Sequence, residues 1–177
     1  MGSHEQKKGS SSGRVSAPPV VAGAPIPNFR QVNSWFYRGG QPNPDGLHYL
    51  SELKVRTIVS LRWSSSVIDQ ERLAAKAFGI NYVSIPLNYW TYPSSKQIDQ
   101  FLSILDDKDM HPVYLHCKHG SDRAGLLVAV YRMAKEGWSA DEAYKEMKEC
   151  GFHLIKMYHF KFAVYLFESR LDKSKKA

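Results

Sequence analysis

The residues of this chain that can do chemistry stand together in Val113-Tyr114-Leu115-His116-Cys117-Lys118-His119-Gly120-Ser121-Asp122-Arg123-Ala124-Gly125. An apolar, β-prone run ends at His116, and an apolar helical pattern begins near Arg123. The residues between them therefore form a loop at the carboxyl edge of a sheet, where open α/β folds place their ligands. Consecutive backbone N–H groups of such a loop converge on one point and make a nest for an anion. The following helix adds its positive N-terminal end. Gly120 permits backbone angles that a side chain forbids. A cysteine at the base of that nest is biased toward thiolate, since helix N-termini and cations lower a thiol pKa from about 8.5 to between about 3.5 and 7.5. Arg123 has the planar fork that grips two phosphoryl oxygens at once. Thiolate, nest and fork together describe in-line attack on phosphorus through a phosphocysteine intermediate. Phosphoryl transfer asks mainly for alignment and charge stabilisation, which this loop supplies.

The elements that must position this loop follow from pattern. Phe29–Val32 and Trp35–Tyr37 are short aromatic runs around Asn33-Ser34, which predicts a hairpin. Pro44–Lys54 is a helix capped by Asn43 or Asp45, with Leu47, Leu50 and Leu53 recurring at threes. Thr57–Leu61 and Tyr82–Ile85 are strands, with the helix Ile68–Phe78 between them and Gly79 ending it. Ser94 and Gln97 make a capping box for a helix to about Leu105, and Ser139 with Glu142 caps another to Cys150. Val113–His116 is the strand that feeds the loop, and Arg123–Lys135 the apolar helix that leaves it. His153–Leu171 carries a final helical spacing of apolar residues. Strands alternating with helices predict an α/β domain with a central, mostly parallel sheet flanked by helices.

Composition bounds the rest. With 177 residues, 43% of them hydrophobic, the chain builds one core and not two. No apolar run reaches the ~20 residues that cross a bilayer, so no membrane span is predicted. Two cysteines, Cys117 and Cys150, make no disulfide framework. The net charge is +7; residues 1–27 and 172–177 each carry +2, which leaves +3 for 28–171. Over half of the excess thus lies in the ends, and no nucleic-acid footprint is predicted. Residues 1–27 are rich in Gly, Ser, Pro and Ala and read as a disordered tail, with 28–171 a single domain and 172–177 a basic C-terminal tail. The opening Met1-Gly2-Ser3-His4 looks like an expression remnant, so the compartment is left open between cytoplasm and export.

The run His116-Cys117, five residues, Arg123 resembles the signature of the cysteine-dependent phosphatases, the superfamily of protein tyrosine, dual-specificity and PTP-like inositol phosphate phosphatases. The resemblance extends to Tyr37-Arg38-Gly39-Gly40-Gln41-Pro42 and Thr57-Ile58-Val59-Ser60-Leu61-Arg62, which are similar to segments of small atypical members. It implies a PTP-like fold over about residues 29–170, Cys117 as nucleophile, Arg123 as phosphate clamp and the amides of Lys118–Arg123, Gly120 and Ser121 included, as cradle. His116 is expected to tune the loop without touching substrate. No metal or organic cofactor is implied. The expected partner is a phosphorylated small molecule or a phosphoprotein, and a monomer is expected. Two departures matter. The family's general-acid Asp sits on a loop about 30 residues before the cysteine, but here Pro86–Pro93 contains neither Asp nor Glu. Asp122 inside the signature loop becomes the expected acid, as in some bacterial and lipid-active members. Ala124 stands where the family usually has Ser or Thr, which predicts slow breakdown of the intermediate.

Cys117 can be an ordinary buried thiol, and His116, Cys117 and His119 can be metal ligands, although zinc needs further ligands at suitable spacing. Cys150 is a core or helix-end thiol, or a redox partner of Cys117. Lys118 and His119 are solvated loop residues or a basic rim that meets extra phosphates. Tyr89, Trp90 and Tyr92 cover the last helices or shape the pocket wall. Arg38 and Arg62, with Lys96, are supports or further substrate-binding cations. Two substrates compete: inositol polyphosphate, favoured by the basic residues, and phosphotyrosyl protein, favoured by the aromatic loop. A phosphate-binding module without catalysis is the alternative that Ala124 and the missing loop Asp keep open.

Overall fold

The computed structural model describes residues 16–176, with side chains to residue 173. Five short strands, β1 (Arg30–Asn33), β2 (Phe36–Gly39), β3 (Thr57–Ser60), β4 (Asn81–Ser84) and β5 (Val113–His116), form one sheet in the order β1-β2-β5-β3-β4. The β1–β2 hairpin is antiparallel, and all other pairings are parallel. β5 is the central strand, with His116 level with Gly39 on one side and Ser60 on the other. Parallel strands need crossovers, and the helices α1 (Pro44–Glu52), α2 (Ser65–Ala77), α3 (Ser95–Asp106), α4 (Asp122–Glu136), α5 (Ala140–Glu149) and α6 (Tyr158–Lys176) provide or follow them. The expected α/β architecture with a mostly parallel sheet is the one observed.

Strand alternation decides the layering. Val113 and Leu115 of β5 point into a core shared with Phe36, Val59, Phe101, Leu127 and Phe160, whereas Tyr114 points to the opposite face beside Ile58, Leu50 and Ala75. α4 lies at the middle of the larger layer, and its residues from Asp122 to Met133 are all buried. That explains why its sequence is apolar all round instead of amphipathic. The capping boxes Ser94/Gln97 and Ser139/Glu142 are both formed, and Asn43 caps α1 with Pro44 at its first turn. α4 ends at Gly137 in the left-handed conformation, φ 72°.

Three expectations differ from the structure. The last helix starts at Tyr158, not His153; residues 150–157 form an irregular turn, because Gly151 at φ 89° follows α5 and breaks the helical path. α6 continues to Lys176, so the basic C-terminal residues extend a helix instead of forming a separate tail. The segment 16–27 lies against the body: Ile26 is 4% exposed, Val21 N–H donates to Phe29 O, and Arg30 Nη1 donates to Pro18 O. Its poor periodicity reflects a chain held by backbone contacts. Residues 1–15 of the expected tail lie outside the described residues. Among the described residues no helix is long and apolar enough to cross a membrane.

Candidate active site

The loop between β5 and α4 is fixed by its carbonyls. Gln41 N–H donates to Lys118 O (3.2 Å), and Gly120 O accepts from Arg38 Nη2 (2.8 Å) and Asn28 Nδ2 (3.1 Å). Ser121 O accepts from Arg38 Nη2 (3.2 Å) and Gly125 N–H (2.9 Å). These donors draw the carbonyls away from the loop's interior. Among the described residues, no protein acceptor takes the N–H groups of Lys118, His119, Gly120, Ser121 or Asp122. Ser121 supplies no side-chain cap to α4, so the first turn of that helix also keeps its donors unengaged. Gly120, at φ 75°, packs on β2 so closely that a Cβ there falls 2.3 Å from Gly39 C.

Cys117 lies at the base of the loop and is 3% exposed. His116, fully buried, has Nδ1 3.3 Å from Cys117 O and Nε2 2.9 Å from Glu71 Oε1, a close contact and not an aligned hydrogen bond. Arg123 is held from behind: Nη1 donates to Leu61 O (3.0 Å) and Leu87 O (2.9 Å), and the guanidinium lies 4.1 Å above the Tyr89 ring. Its Nη2 donates to Tyr89 Oη at 2.7 Å, while Nε is buried without a partner. One edge of the fork is therefore anchored, and the other keeps donor capacity inside the site.

A cleft of about 370 Å³ opens over this loop. Its polar lining is Lys118, His119, Asp122, His153 and Lys156, and its apolar lining is Tyr89, Trp90 and Met157. Partial burial, and then the neighbouring Lys118 charge, hold the His119 pKa below the usual histidine value. Trp90 is 85% exposed and stands at the rim, so it covers no helix. Asp122 is 5% exposed; His153 N–H donates to its Oδ1 (2.9 Å), and His153 Nδ1 lies 2.9 Å from Oδ2 and 3.1 Å from Oδ1.

The structure thus brings together Cys117, Lys118, His119, Gly120, Ser121, Asp122, Arg123, Tyr89 and Trp90. It does not bring Arg38 or Arg62 into the cleft. Arg38 is 0% exposed and braces the loop from below, and Arg62 gives Nη1 to Gln41 Oε1 at 2.7 Å. Both sit at the carboxyl ends of strands flanking β5, which places them near the loop in sequence pattern but behind it in space. Lys96 lies on the first turn of α3 and does not line the cleft. Cys150 is buried and unbridged, as is Cys117, and burial pushes the Cys150 thiol up, which keeps it protonated. Sequence reasoning missed Glu71, His153 and Lys156. Glu71 had a signal: with Ile68 and Ala75 it forms the buried stripe of α2, where a carboxylate needs a partner. His153 had none, because its partner is 31 residues away with α4 and α5 between them.

Comparison with known proteins agrees with this geometry. The family model described as DSP-PTPase phosphatase fused to NAD+ kinase matches residues 23–162. The dual specificity protein phosphatase TpbA of Pseudomonas aeruginosa is 29% identical over 128 residues, covering 72% of this chain and 56% of that protein. The inositol diphosphatase DSP2 of Oryza sativa subsp. japonica is 30% identical over 162 residues, covering 82% of this chain and 75% of its own length. This chain therefore spans just over half the length of TpbA and a larger part of the rice protein. The crystal structure of P. aeruginosa TpbA superposes with a TM-score of 0.67 at 22% identity, over 85% of this chain and 98% of that one. The core catalytic domain of the PP-IP phosphatase SIW14 from S. cerevisiae gives 0.65 at 20% identity, over 86% and 94%. These two structures establish a shared fold. Because the family model spans most of the described residues, from the segment before β1 through the signature loop and into α6, the chain belongs to the DSP-PTPase phosphatase family.

Proposed function

We propose that this domain hydrolyses phosphomonoesters through a phosphocysteine on Cys117, with inositol polyphosphates as its favoured substrates. The observation that carries the reading is the fork of Arg123, anchored by two backbone carbonyls with its Nε unpartnered, beside a loop whose amides lack protein acceptors. That arrangement holds three phosphoryl oxygens while the Cys117 thiolate attacks phosphorus from below. The Asp122–His153 pair stands in the cleft to serve the leaving oxygen. Ala124 offers no hydroxyl to the departing sulfur, so breakdown of the intermediate is the slower half of the cycle.

Support for a substrate with several phosphates comes from the rim. Lys118 and Lys156 line the cleft with His119 and His153, and the rice relative is named an inositol diphosphatase. Each cation beyond Arg123 adds attraction for a further phosphate, an effect that weakens with salt. A second reading, a phosphotyrosyl or dual-specificity protein phosphatase, is favoured by the apolar wall of Tyr89, Trp90 and Met157 and by the name of the Pseudomonas relative. The deciding measurement is kcat/KM for inositol hexakisphosphate against phosphotyrosyl peptides at matched ionic strength. Peptides ahead by about tenfold, with Lys118→Ala changing neither rate, overturn the inositol reading. Cys117→Ser must abolish turnover and retain substrate binding. Residual hydrolysis by that variant removes the covalent mechanism, and wild-type binding without turnover makes the domain a phosphate-binding module.

A further inference from the structure

We propose that His153, on the turn between α5 and α6, is the general acid of the reaction and that Asp122 is its positioning residue. The proposal rests on the phosphocysteine reading above and deepens it. Asp122 is the only carboxyl lining the cleft among the described residues. Both of its oxygens are occupied by one neighbour: Oδ1 accepts the His153 backbone N–H at 2.9 Å, and the ring Nδ1 bridges Oδ1 and Oδ2 at 3.1 and 2.9 Å. A ring nitrogen between two carboxylate oxygens is a donor, so Nδ1 carries a hydrogen and the tautomer is fixed. Ser121 Oγ stands a further 3.5 Å from Oδ2. Asp122, at 5% exposure and so engaged, presents no O–H of its own to a leaving group. His153 is different. Its side chain is 56% exposed at the cleft, and with Nδ1 fixed on Asp122 its Nε2 is the free end of the ring.

The other imidazole of the cleft does not compete for this role. Among the described residues no carboxylate hydrogen-bonds His119, and partial burial with the Lys118 charge outweighs the nearby Asp122 and holds its pKa below the ordinary value, so it is neutral when the site works near neutral pH. The titratable and charged groups that share the cleft with His153 are Asp122, Lys118 and His119 from the signature loop, Lys156 from its own turn, and Tyr89 from the loop after β4. Asp122 is the one anion among them, and it both orients the ring and offsets the surrounding positive charge.

The step balances with the groups present. The Cys117 thiolate forms the S–P bond as the P–O bond to the leaving group breaks, and the His153 imidazolium passes its Nε2 proton to the departing oxygen, which leaves as an alcohol. The neutral imidazole then takes a proton from water as that water attacks phosphorus. The S–P bond breaks, the thiolate returns, and inorganic phosphate leaves with His153 again protonated.

The test compares His153→Asn, whose amide can still donate to Asp122 from the place of Nδ1, with Asp122→Asn in the full chain. Substrates are an alkyl phosphate and nitrophenyl phosphate, and folding is checked by circular dichroism. For His153→Asn we expect kcat/KM on the alkyl ester to fall about 100-fold and on the aryl ester by about tenfold or less, with the basic limb of the alkyl kcat/KM–pH profile abolished; kcat, set by breakdown of the common intermediate, falls alike on both. Asp122→Asn should keep that limb while lowering the rate. Equal losses of kcat/KM on both esters, or a limb that survives in His153→Asn and vanishes in Asp122→Asn, overturn the proposal and return the role to Asp122. Denaturing quench during nitrophenyl phosphate turnover separates the two levels. Phosphocysteine trapped in wild type and in His153→Asn keeps the parent reading whatever becomes of His153, whereas none trapped in wild type, with turnover by Cys117→Ser, ends both.

Discussion

His116 and Glu71 meet in complete burial, with Nε2 2.9 Å from Oε1 and side chains 0% and 3% exposed. The second Glu71 oxygen accepts from Tyr82 Oη at 3.0 Å, so α2, β4 and the strand feeding the loop are tied at one carboxylate. Removing one member of a buried polar contact typically costs about 1–3 kcal/mol, because the other is left desolvated without compensation. Glu71→Leu should therefore lose stability of that order in urea unfolding. Glu71→Gln, which keeps an acceptor for Tyr82, should lose less. A Glu71→Leu protein as stable as wild type means that His116 needs no anion.

Gly120 and Gly137 share a left-handed backbone, φ 75° and 72°, in different surroundings. A Cβ at Gly120 meets Gly39 C at 2.3 Å and Gly40 N at 2.5 Å, backbone atoms that cannot turn aside; at Gly137 it meets nothing within 4 Å. Gly137→Ala should thus show only conformational strain, about 1–3 kcal/mol, with activity intact. Gly120→Ala adds a forced separation of the signature loop from β2. It should lose tungstate binding, read by calorimetry, by tenfold or more (about 1.4 kcal/mol). Unchanged tungstate affinity in Gly120→Ala means that the cradle tolerates the shift.

Much of this was legible in the sequence wherever a local rule applied. The strand ending at His116, the glycine at the loop's turn and the two capping boxes are dictated by neighbours within a few residues, and all are found in place. What was not legible depends on contacts between distant segments. Arg38 and Arg62 read as cations near the mouth because both end strands beside β5, yet the direction of their side chains is set by the carbonyls of Gly120 and Ser121 and by Gln41. The stretch from His153 to Met157 has helical spacing of apolar residues, but Ile155 is 93% exposed and the helix begins later. Periodicity there concealed a turn that carries three cleft residues, His153, Lys156 and Met157.

Tyr89 contributes to Arg123 in two separable ways, a hydroxyl 2.7 Å from Nη2 and a ring face 4.1 Å from the guanidinium carbon. Tyr89→Phe removes only the hydroxyl, and the loss of one hydrogen bond to a charged group should lower kcat/KM roughly 10-fold. Tyr89→Ala also removes the ring and should fall several-fold further. Arg123→Lys keeps charge without the fork and should lose about 10²–10³ in kcat. If Tyr89→Phe and Tyr89→Ala are equally impaired, the ring plays no part in holding the arginine.

The depressed pKa of His119 gives the cleft a pH-dependent charge with a defined sign. Its pKa is held below 6.5 by partial burial and by Lys118, and the folded protein therefore takes up this proton only at lower pH than the unfolded chain. Two consequences follow. As pH falls from the ordinary histidine range through the folded value, His119 contributes a loss of stability, since the unfolded state binds the proton first. Over the same interval the cleft gains a positive charge beside Lys118 and Arg123, and binding of a polyanion should strengthen. Inositol hexasulfate is the suitable probe, because sulfate esters stay ionised across about pH 5 to 8, where histidine titrates. Its affinity for Cys117→Ser protein, measured by calorimetry at constant ionic strength, should rise several-fold as the pH is lowered through this range. His119→Gln should flatten a distinct part of that rise and leave affinity at the alkaline end nearly unchanged. A His119→Gln curve that parallels the parent at every pH shows that the ring does not meet the ligand, and Lys118 with Lys156 then carries the rim alone.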